Sequence, residues 1–314
     1  MRVSYFAHCL RNIESGENVK FDLGSFASAF CKFENPIFKN TFTHNGENVY
    51  LLHNSGDVYL FIMTKSNEVI RKINTDNLSV SEINDLLAKD EQLGFASYIL
   101  IKENHFGYSS TLMAPRIDCF NDFIEFLLSK IGVKDYQFRT QALLYQATKA
   151  DVLSMNYLGR TTIDLAKHSN VVKNFLSELN VTDADILELD GIEIKIKPKQ
   201  RKNIKPVVDK VIQNLPDDGV EKMIVKAKHQ DAGEALKDLY LIGQGSISDS
   251  IDKSKEAKIP DHLESKRKQN KIVDERLAEY IEHEQLTEKN IEVVQRFSDA
   301  ESWSARFPML SNTD

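Results

Sequence analysis

Short segments in which apolar and polar residues alternate predict β-strands in the first 135 residues of the chain. The predicted strands are Val3–His8, Val49–His53, Val58–Thr64, Ala96–Lys102 and Gly107–Met113. The second and third of these flank a hairpin loop containing Gly56, a residue that tolerates a positive φ. A capping box of Ser79 and Glu82 predicts the start of one helix, and the apolar stripe of Phe120–Leu128 predicts another. Residues 1–135 therefore form a mixed α and β domain.

Strands and helices follow each other more closely between residues 136 and 229. The predicted strands are Arg139–Tyr145, Ser154–Ala166, Ile192–Lys197 and Lys222–Lys228, and the predicted helices are Val171–Leu179 and Ile204–Gln213. Their order, β-β-α-β-α-β, predicts a small α+β sandwich of a size that folds by itself. Residues 230–249 carry the apolar run Leu239–Gly243 and are expected to return to the first domain. The middle module would then be an insertion.

Residues 250–314 combine a polar linker, which contains Pro260, with amphipathic helices. The helical faces carry these apolar residues: Val273, Leu277, Tyr280 and Ile281 on one, and Ile291, Val294 and Phe297 on the next. Trp303 and Phe307 follow closely, and so many apolar side chains need a cover. We expect this helical tail to be a docking or dimerisation arm, the alternative cover being the first domain. The fold class is α+β throughout.

Composition and cysteine usage exclude several classes of protein. The chain is 41% apolar and 28% charged, which is typical of a globular protein with a core. It lacks the roughly 18 consecutive apolar residues of a membrane-spanning helix, and its first residues lack a signal-peptide core. Cys9, Cys31 and Cys119 lie far apart, which argues against a disulfide framework or a cysteine zinc site. These features predict a cytoplasmic protein.

The strongest candidate for function is a basic run in the middle module. The chain has a net charge of −7, but residues 136–229 carry 15 Lys and Arg against 12 Asp and Glu. The cationic residues of the run are Lys195, Lys197, Lys199, Arg201, Lys202 and Lys205, without an acid among them. Residues two apart share one face of a strand, so the first three are predicted to project together and the others to open the next helix. Such a strip can bind phosphates, although a solvated basic turn is the alternative.

Gly159-Arg160-Thr161-Thr162 is a weaker candidate for phosphate binding. Glycine permits close backbone approach, and Arg160 with the two hydroxyls can bind a phosphate. The alternative is an ordinary strand with an exposed arginine. The sequence contains no helix-turn-helix, paired zinc ligands or RNA-binding aromatic motif, so it does not predict base-specific recognition.

Enzymatic interpretations have less support in the sequence. Glu193-Ile-Lys195 matches half of a metal-dependent nuclease site, in which a carboxylate holds Mg²⁺ and the lysine orients water. Asp164 is the best available second carboxylate, but alternating charge on an amphipathic strand is the ordinary explanation of the motif. The chain lacks a P-loop, a G-x-S-x-G motif and paired histidines. We therefore expect no catalytic residues, metal site or cofactor.

Several motifs resemble, in collinear order, the RexA family of phage-exclusion proteins carried by lambdoid prophages. The motifs are Lys72–Asn74, Ser79–Ile83, Asp90–Phe95, Thr148–Thr162, Ile194–Lys205 and Asp231–Gly233. The resemblance spans roughly residues 3–247 and fades after about residue 250, where this chain has a longer tail.

The resemblance implies a cytoplasmic, dimeric, two-domain protein that binds DNA with little sequence preference and acts against superinfecting phage. It also implies a small integral-membrane partner encoded nearby, which would recruit the protein to the inner membrane. A similar division of labour is found in the Kiwa-type defence pair, the neighbouring possibility. Carried over by position, the six cationic residues of the basic run become phosphate contacts, with Arg160 as a weaker addition. The alternative function is a metal-dependent nuclease of such a system.

Overall fold

The structure is a computed structural model that describes residues 1–65, 71–73, 80–82, 87–88, 92–200, 202–215, 219–228, 236–252, 254 and 256–308. The chain divides into two compact units, Met1–Leu143 with Ile251–Asp314, and Leu144–Ser250. The first unit is discontinuous because the second is inserted into it. Both contain strands and helices, so the fold is α+β, as the sequence predicts.

Strands and helices are numbered here in chain order over the described residues. The strands are β1 (Arg2–Asn12), β2 (Asn18–Val19), β3 (Thr43–His44), β4 (Glu47–Ser55), β5 (Val58–Thr64), β6 (Arg71–Ile73), β7 (Val80–Glu82), β8 (Gly94–Lys102), β9 (His105–Ser110), β10 (Tyr136–Ala142), β11 (Leu144–Tyr145), β12 (Tyr157–Ala166), β13 (Gly191–Ile196), β14 (Val220–Lys228), β15 (Lys237–Ile242), β16 (Gly245–Ser246) and β17 (Ser248–Ser250). The helices are α1 (Leu23–Lys32), α2 (Pro36–Lys39), α3 (Ile117–Ile131), α4 (Lys149–Ser154), α5 (Asn170–Glu178), α6 (Asp183–Ile186), α7 (Lys205–Asn214), α8 (Ile259–Gln269), α9 (Lys271–His283), α10 (Glu292–Arg296) and α11 (Ala300–Arg306).

The first unit is built on an antiparallel sheet with the strand order β10-β1-β9-β8-β5-β4-β3. Helices α1 and α3 supply much of its core, since the apolar stripe of each is buried. Gly132 ends α3 in the left-handed region with φ 94°, a conformation that favours glycine at a helix C-terminus. The strands and the second helix predicted for this part of the chain are confirmed within a few residues.

The helical tail belongs to the core of the first unit, so the expectation of a free docking arm is wrong. Trp303 on α11 is fully buried, and its ring lies 5.3–5.4 Å from the rings of Phe26 and Phe30 on α1. Phe307 stacks on Phe38 at 4.2 Å between ring centroids. The apolar faces of the tail are thus covered by aromatic side chains of the first unit. The polar linker predicted before the tail forms α8 instead.

The second unit is a two-layer arrangement of a sheet and helices. Its main sheet is antiparallel, with the strand order β13-β12-β14-β15. Helices α5 and α7 bury Val172 and Val208 in the same core as Ile163 and Met223 of the sheet. The apolar side chains of the central strands therefore face this helical layer.

Two predicted boundaries differ from the structure. The strand expected to begin the middle module at Arg139 is β10, which pairs with β1 in the first unit and buries Phe138 there. Residues 237–246 of the predicted return segment stay in the second unit, because β15 pairs with β14 and β16 pairs with β11. The second unit thus spans 144–250 rather than 136–229.

The helix predicted from the capping box is also wrong where the structure describes it. Val80–Glu82 form strand β7, which pairs with β6. Ser79, the predicted cap, lies outside the described residues. A capping box is a local preference, and strand pairing overrides it here. Nowhere in the described part of the chain does a helix combine the length and apolarity needed to span a bilayer.

Candidate nucleic-acid interface

The predicted phosphate-binding residues lie at one edge of the second unit and in the loop that follows. Lys195 is on the edge strand β13, and Arg160 is on its neighbour β12. Lys197, Lys199 and Lys202 lie in the segment between β13 and α7, called the basic loop here (residues 197–202). All five of these side chains are exposed. Arg201 lies outside the described residues.

Asn203 anchors the end of the basic loop to the start of β12. Its side-chain oxygen accepts hydrogen bonds from the backbone N–H of Leu158 and of Lys205, each at 3.0 Å. Its side-chain amide donates to the carbonyl of Asn156 at 2.8 Å. One short side chain thus ties the loop to β12 and to the first turn of α7.

Tyr157 gives the loop a second anchor. Its hydroxyl donates to the carbonyl of Lys202 at 2.7 Å, and the ammonium of Lys228 lies 4.9 Å from the centre of its ring. Within the loop, the N–H of Lys202 donates to the carbonyl of Lys199 at 2.9 Å and closes a turn. The lysines of the loop are therefore carried on a backbone that is fixed at its base.

Lys205 has a different environment from the other predicted residues. Its ammonium donates to the carbonyl of Leu153, at the end of α4, at 2.5 Å and lies 3.5 Å from Asp209. Its side chain is 28% exposed. A cation near the C-terminus of a helix stabilises its unpaired carbonyls, so in this structure Lys205 connects α4 to α7.

Lys195 also has a partner within the chain. Its ammonium lies 2.6 Å from the carboxylate of Glu193, two residues earlier on the same face of β13. This hydrogen bond lowers the pKa of Glu193, and the charges of Lys195, Arg160 and Lys222 contribute in the same direction. Glu193 thus remains ionised and offsets part of the positive charge at the strand.

The three lysines of the basic loop have no such partners in the part of the chain that the structure describes. Within the described part of the chain, Lys197, Lys199 and Lys202 form no side-chain hydrogen bond or ion pair. Their ammonium groups are exposed, and an anion that binds them displaces only water and counterions. The loop is therefore the part of the predicted strip best placed to contact phosphates.

Strand β14 carries further cations that were not predicted from the sequence. Lys222, Lys226 and Lys228 alternate with the buried residues Met223 and Val225, so they project from the sheet face opposite the helices. Lys226 is paired with Asp238 of β15 at 2.8 Å. The same alternation rule that identified Lys195 and Lys197 would have found these lysines.

The residues of the nuclease interpretation lie side by side on the sheet. Asp164 on β12 is directly opposite Glu193 on β13, and Lys195 is opposite Thr162. The Oδ1 atom of Asp164 is buried and has no hydrogen-bond partner among the described residues. In the same part of the chain no three His, Cys, Asp or Glu side chains converge in a way that could hold a metal ion.

Comparisons with a family model and with individual proteins agree on one family for this chain. Residues 1–235 match the RexA family, described as "Intracellular sensor of Lambda phage, Abi component". The chain is 31% identical over 222 residues to the protein rexA of Escherichia phage lambda, which covers 69% of this chain and 77% of that protein. The identity and coverage are the same for the protein rexA of Enterobacteria phage 434. The family match includes the basic loop and its anchors, and leaves out the helical tail.

Proposed function

The chain belongs to the RexA family of phage-exclusion proteins, and from this premise we propose that it binds DNA without sequence preference as the sensor of an anti-phage defence system. The observation that carries the proposal is the basic loop, with Lys197, Lys199 and Lys202 exposed, and without a side-chain partner among the described residues, on an anchored backbone. Lys195 and Arg160 extend the positive surface onto the sheet.

The chemistry of these side chains supports a sequence-independent mode of binding. Lysine ammoniums interact with phosphates as point charges, and phosphate contacts position a protein on DNA without reading its bases. Each neutralised phosphate releases counterions, which supplies the free energy of binding. The anchors at Asn203 and Tyr157 reduce the ordering that binding requires, because the loop backbone is held before DNA arrives.

A double charge reversal tests this proposal. In Lys199→Glu with Lys202→Glu, we expect the affinity for a random-sequence duplex to fall at least about tenfold, since two phosphate contacts become repulsive. Both side chains are exposed, so the stability should change by no more than about 0.5 kcal/mol. A gel-shift titration with circular dichroism of the same samples measures both effects.

The matched control is Lys173→Glu with Lys210→Glu, which changes the net charge equally at exposed positions of α5 and α7. It should bind nearly as tightly as the natural protein. Equal loss in both double variants would mean that net charge alone drives binding. Unchanged binding in the folded Lys199 and Lys202 variant would remove the loop from the interface.

The proposal includes two protein partners, a second copy of the chain and a small integral-membrane protein encoded nearby. Both are supported by the resemblance to the RexA family. The neighbouring reading frames can be inspected for several hydrophobic spans, and a protein found there can be co-expressed and purified in detergent. Co-purification with this chain would support the membrane partner, and separate elution would contradict it.

A second candidate is the metal-dependent nuclease, which the pairing of Asp164 with Glu193 favours. Two adjacent carboxylates can share a Mg²⁺ ion, and Lys195 would orient the attacking water. Supercoiled plasmid incubated with the protein and Mg²⁺ distinguishes the two functions. Intact, retarded DNA supports binding alone, whereas nicking that is lost in Asp164→Asn would support the nuclease.

A further inference from the structure

Strand β13 lies at one edge of the main sheet of the second unit, and its outer side pairs with no strand that the structure describes. Ile194, at its centre, lies opposite Ile163 on the apolar face of the sheet. Ile163 is buried, yet Ile194 is 38% exposed. An unpaired strand edge beside an exposed apolar side chain is a template for pairing with another strand.

We propose that β13 pairs with β13 of a second copy of this chain, antiparallel and about a two-fold axis through Ile194. This pairing would form the interface of the homodimer that the proposed function includes, and it does not require DNA. The two sheets would become one continuous sheet of eight strands, with both helical layers on the same side.

The order of residues along β13 is self-complementary in this register. Ile194 of one copy lies opposite Ile194 of the other, and Ile192 lies opposite Ile196, all on the apolar face. On the other face, Glu193 of each copy lies opposite Lys195 of its partner. Opposite charges directly across an antiparallel pair stabilise it, so a single register forms two favourable charge pairs at once.

Other registers lack this complementarity. An axis through Glu193 places that residue opposite itself, and an axis through Lys195 does the same for the lysine. A shift by a single residue places isoleucines opposite charged residues and turns one sheet over. The edge strand β10 of the first unit has Arg139 at its centre, which would meet itself in a symmetric pair. The charge pattern therefore favours β13 and selects its register.

Sedimentation velocity of the full chain without DNA tests the association. We expect the natural protein to dimerise, and Ile194→Glu to weaken the dimer at least about tenfold, because two carboxylates would meet at the axis. Lys195→Glu should weaken it similarly by placing like charges opposite each other. The exchange of both charges, Glu193→Lys with Lys195→Glu, should restore it, which a merely unfolded variant could not do.

Disulfide cross-linking tests the register. Cα atoms of directly opposed residues in an antiparallel pair lie about 4.5–5.5 Å apart, which is within the range of Cα separations that a disulfide spans. Ile194→Cys should therefore form a covalent dimer with itself on oxidation. Glu193→Cys and Lys195→Cys should cross-link efficiently only when the two variants are mixed. The natural protein is the control for its own thiols, of which Cys9 and Cys119 are buried.

The proposal would be overturned if the natural protein stays monomeric at 100 µM, roughly the concentration at which even weak specific pairs associate. A dimer that survives Ile194→Glu and fails to cross-link through Ile194→Cys would overturn it as well. Either result leaves DNA binding untouched, since no DNA is present in these experiments. Conversely, unchanged DNA binding in the Lys199 and Lys202 variant would contradict the proposed function and leave the β13 dimer untouched.

Discussion

At the scale of single residues, Asn203 contributes most to the structure of the candidate interface, because its side chain ties the basic loop to β12 and α7. It makes three hydrogen bonds, to Asn156, Leu158 and Lys205, and carries no charge itself. Asn203→Ala should therefore lower the free energy of unfolding by about 1–3 kcal/mol and weaken DNA binding several-fold without changing the net charge. Urea denaturation and gel shifts measure the two effects.

Asn214→Ala is the matched control for this prediction. Asn214 lies at the end of α7, is exposed, and donates a single hydrogen bond to the carbonyl of Lys210. We expect nearly unchanged stability and affinity. If Asn203→Ala also binds DNA as tightly as the natural protein, the anchoring of the loop has no part in binding.

Buried histidines predict the response of the first unit to acid. Burial lowers the pKa of His8 to about 3 and that of His105 to about 4, against an ordinary value of 6.5. The unfolded chain therefore takes up protons below pH 6.5 that the folded chain does not. Stability should fall as the pH drops from about 6.5 toward 3–4, by up to about 1.4 kcal/mol per pH unit for each histidine.

His8→Phe tests the assignment, because the ring of His8 already lies against Phe21, Phe106 and Phe138. This variant should lose the contribution of one histidine to the slope of unfolding free energy against pH. Urea denaturation at several pH values between 4 and 7 measures that slope. This range covers most of the interval between the lowered pKa values of the two histidines and the ordinary value of 6.5. A slope identical to that of the natural protein would contradict the role of His8.

At the scale of elements, the sequence predicted what is local and missed what depends on pairing. The clustering of cations was predictable because six of them fall within residues 195–205, but Lys197, Lys199 and Lys202 lie in a loop rather than on the predicted strand and helix. The neutral anchors Asn203 and Tyr157 were missed, because their partners are some 45 residues away in the chain. The contact of Lys205 was also missed, because its partner is distant in the chain. In the sequence Lys205 belongs to the basic run, whereas in the structure its ammonium donates to the carbonyl of Leu153 in α4.

The strand assignments likewise succeeded where local features decide the structure and failed where tertiary pairing does. The hairpin of β4 and β5 was predicted because its turn residues and its alternation agree. The capping box at Glu82 failed because a tertiary pairing decides the conformation of β7. Strand β10 was recognised as a strand but given to the wrong unit, since alternation does not reveal which sheet a strand joins.

At the scale of the whole molecule, the tail stabilises the first unit. Trp303 is fully buried among aromatic rings, and its indole N–H donates to the carbonyl of Phe297 at 2.9 Å. Trp303→Ala should cost about 3–5 kcal/mol, because a large cavity would remain. Thermal denaturation followed by circular dichroism measures this, with Trp303→Phe as a milder control.

Truncation after Ser250 should have a larger effect of the same kind. It would remove Val294, Phe297 and Trp303 from the core and expose the aromatic residues of α1. We therefore expect the truncated chain to lose the folded first unit. A truncated chain that keeps the far-ultraviolet spectrum and thermal stability of the natural protein would show that the tail is dispensable for folding.

The central claim, that the basic loop binds DNA through its phosphates, is tested most directly by the salt dependence of affinity. Fluorescence anisotropy with a labelled duplex should give a slope of log K against log salt concentration of roughly −4 to −5, whatever the DNA sequence. In Lys199→Gln with Lys202→Gln, the slope should become shallower by about 2, since two phosphate contacts are lost. A flat response, a slope that the variant leaves unchanged, or a strong preference for one sequence would contradict the claim.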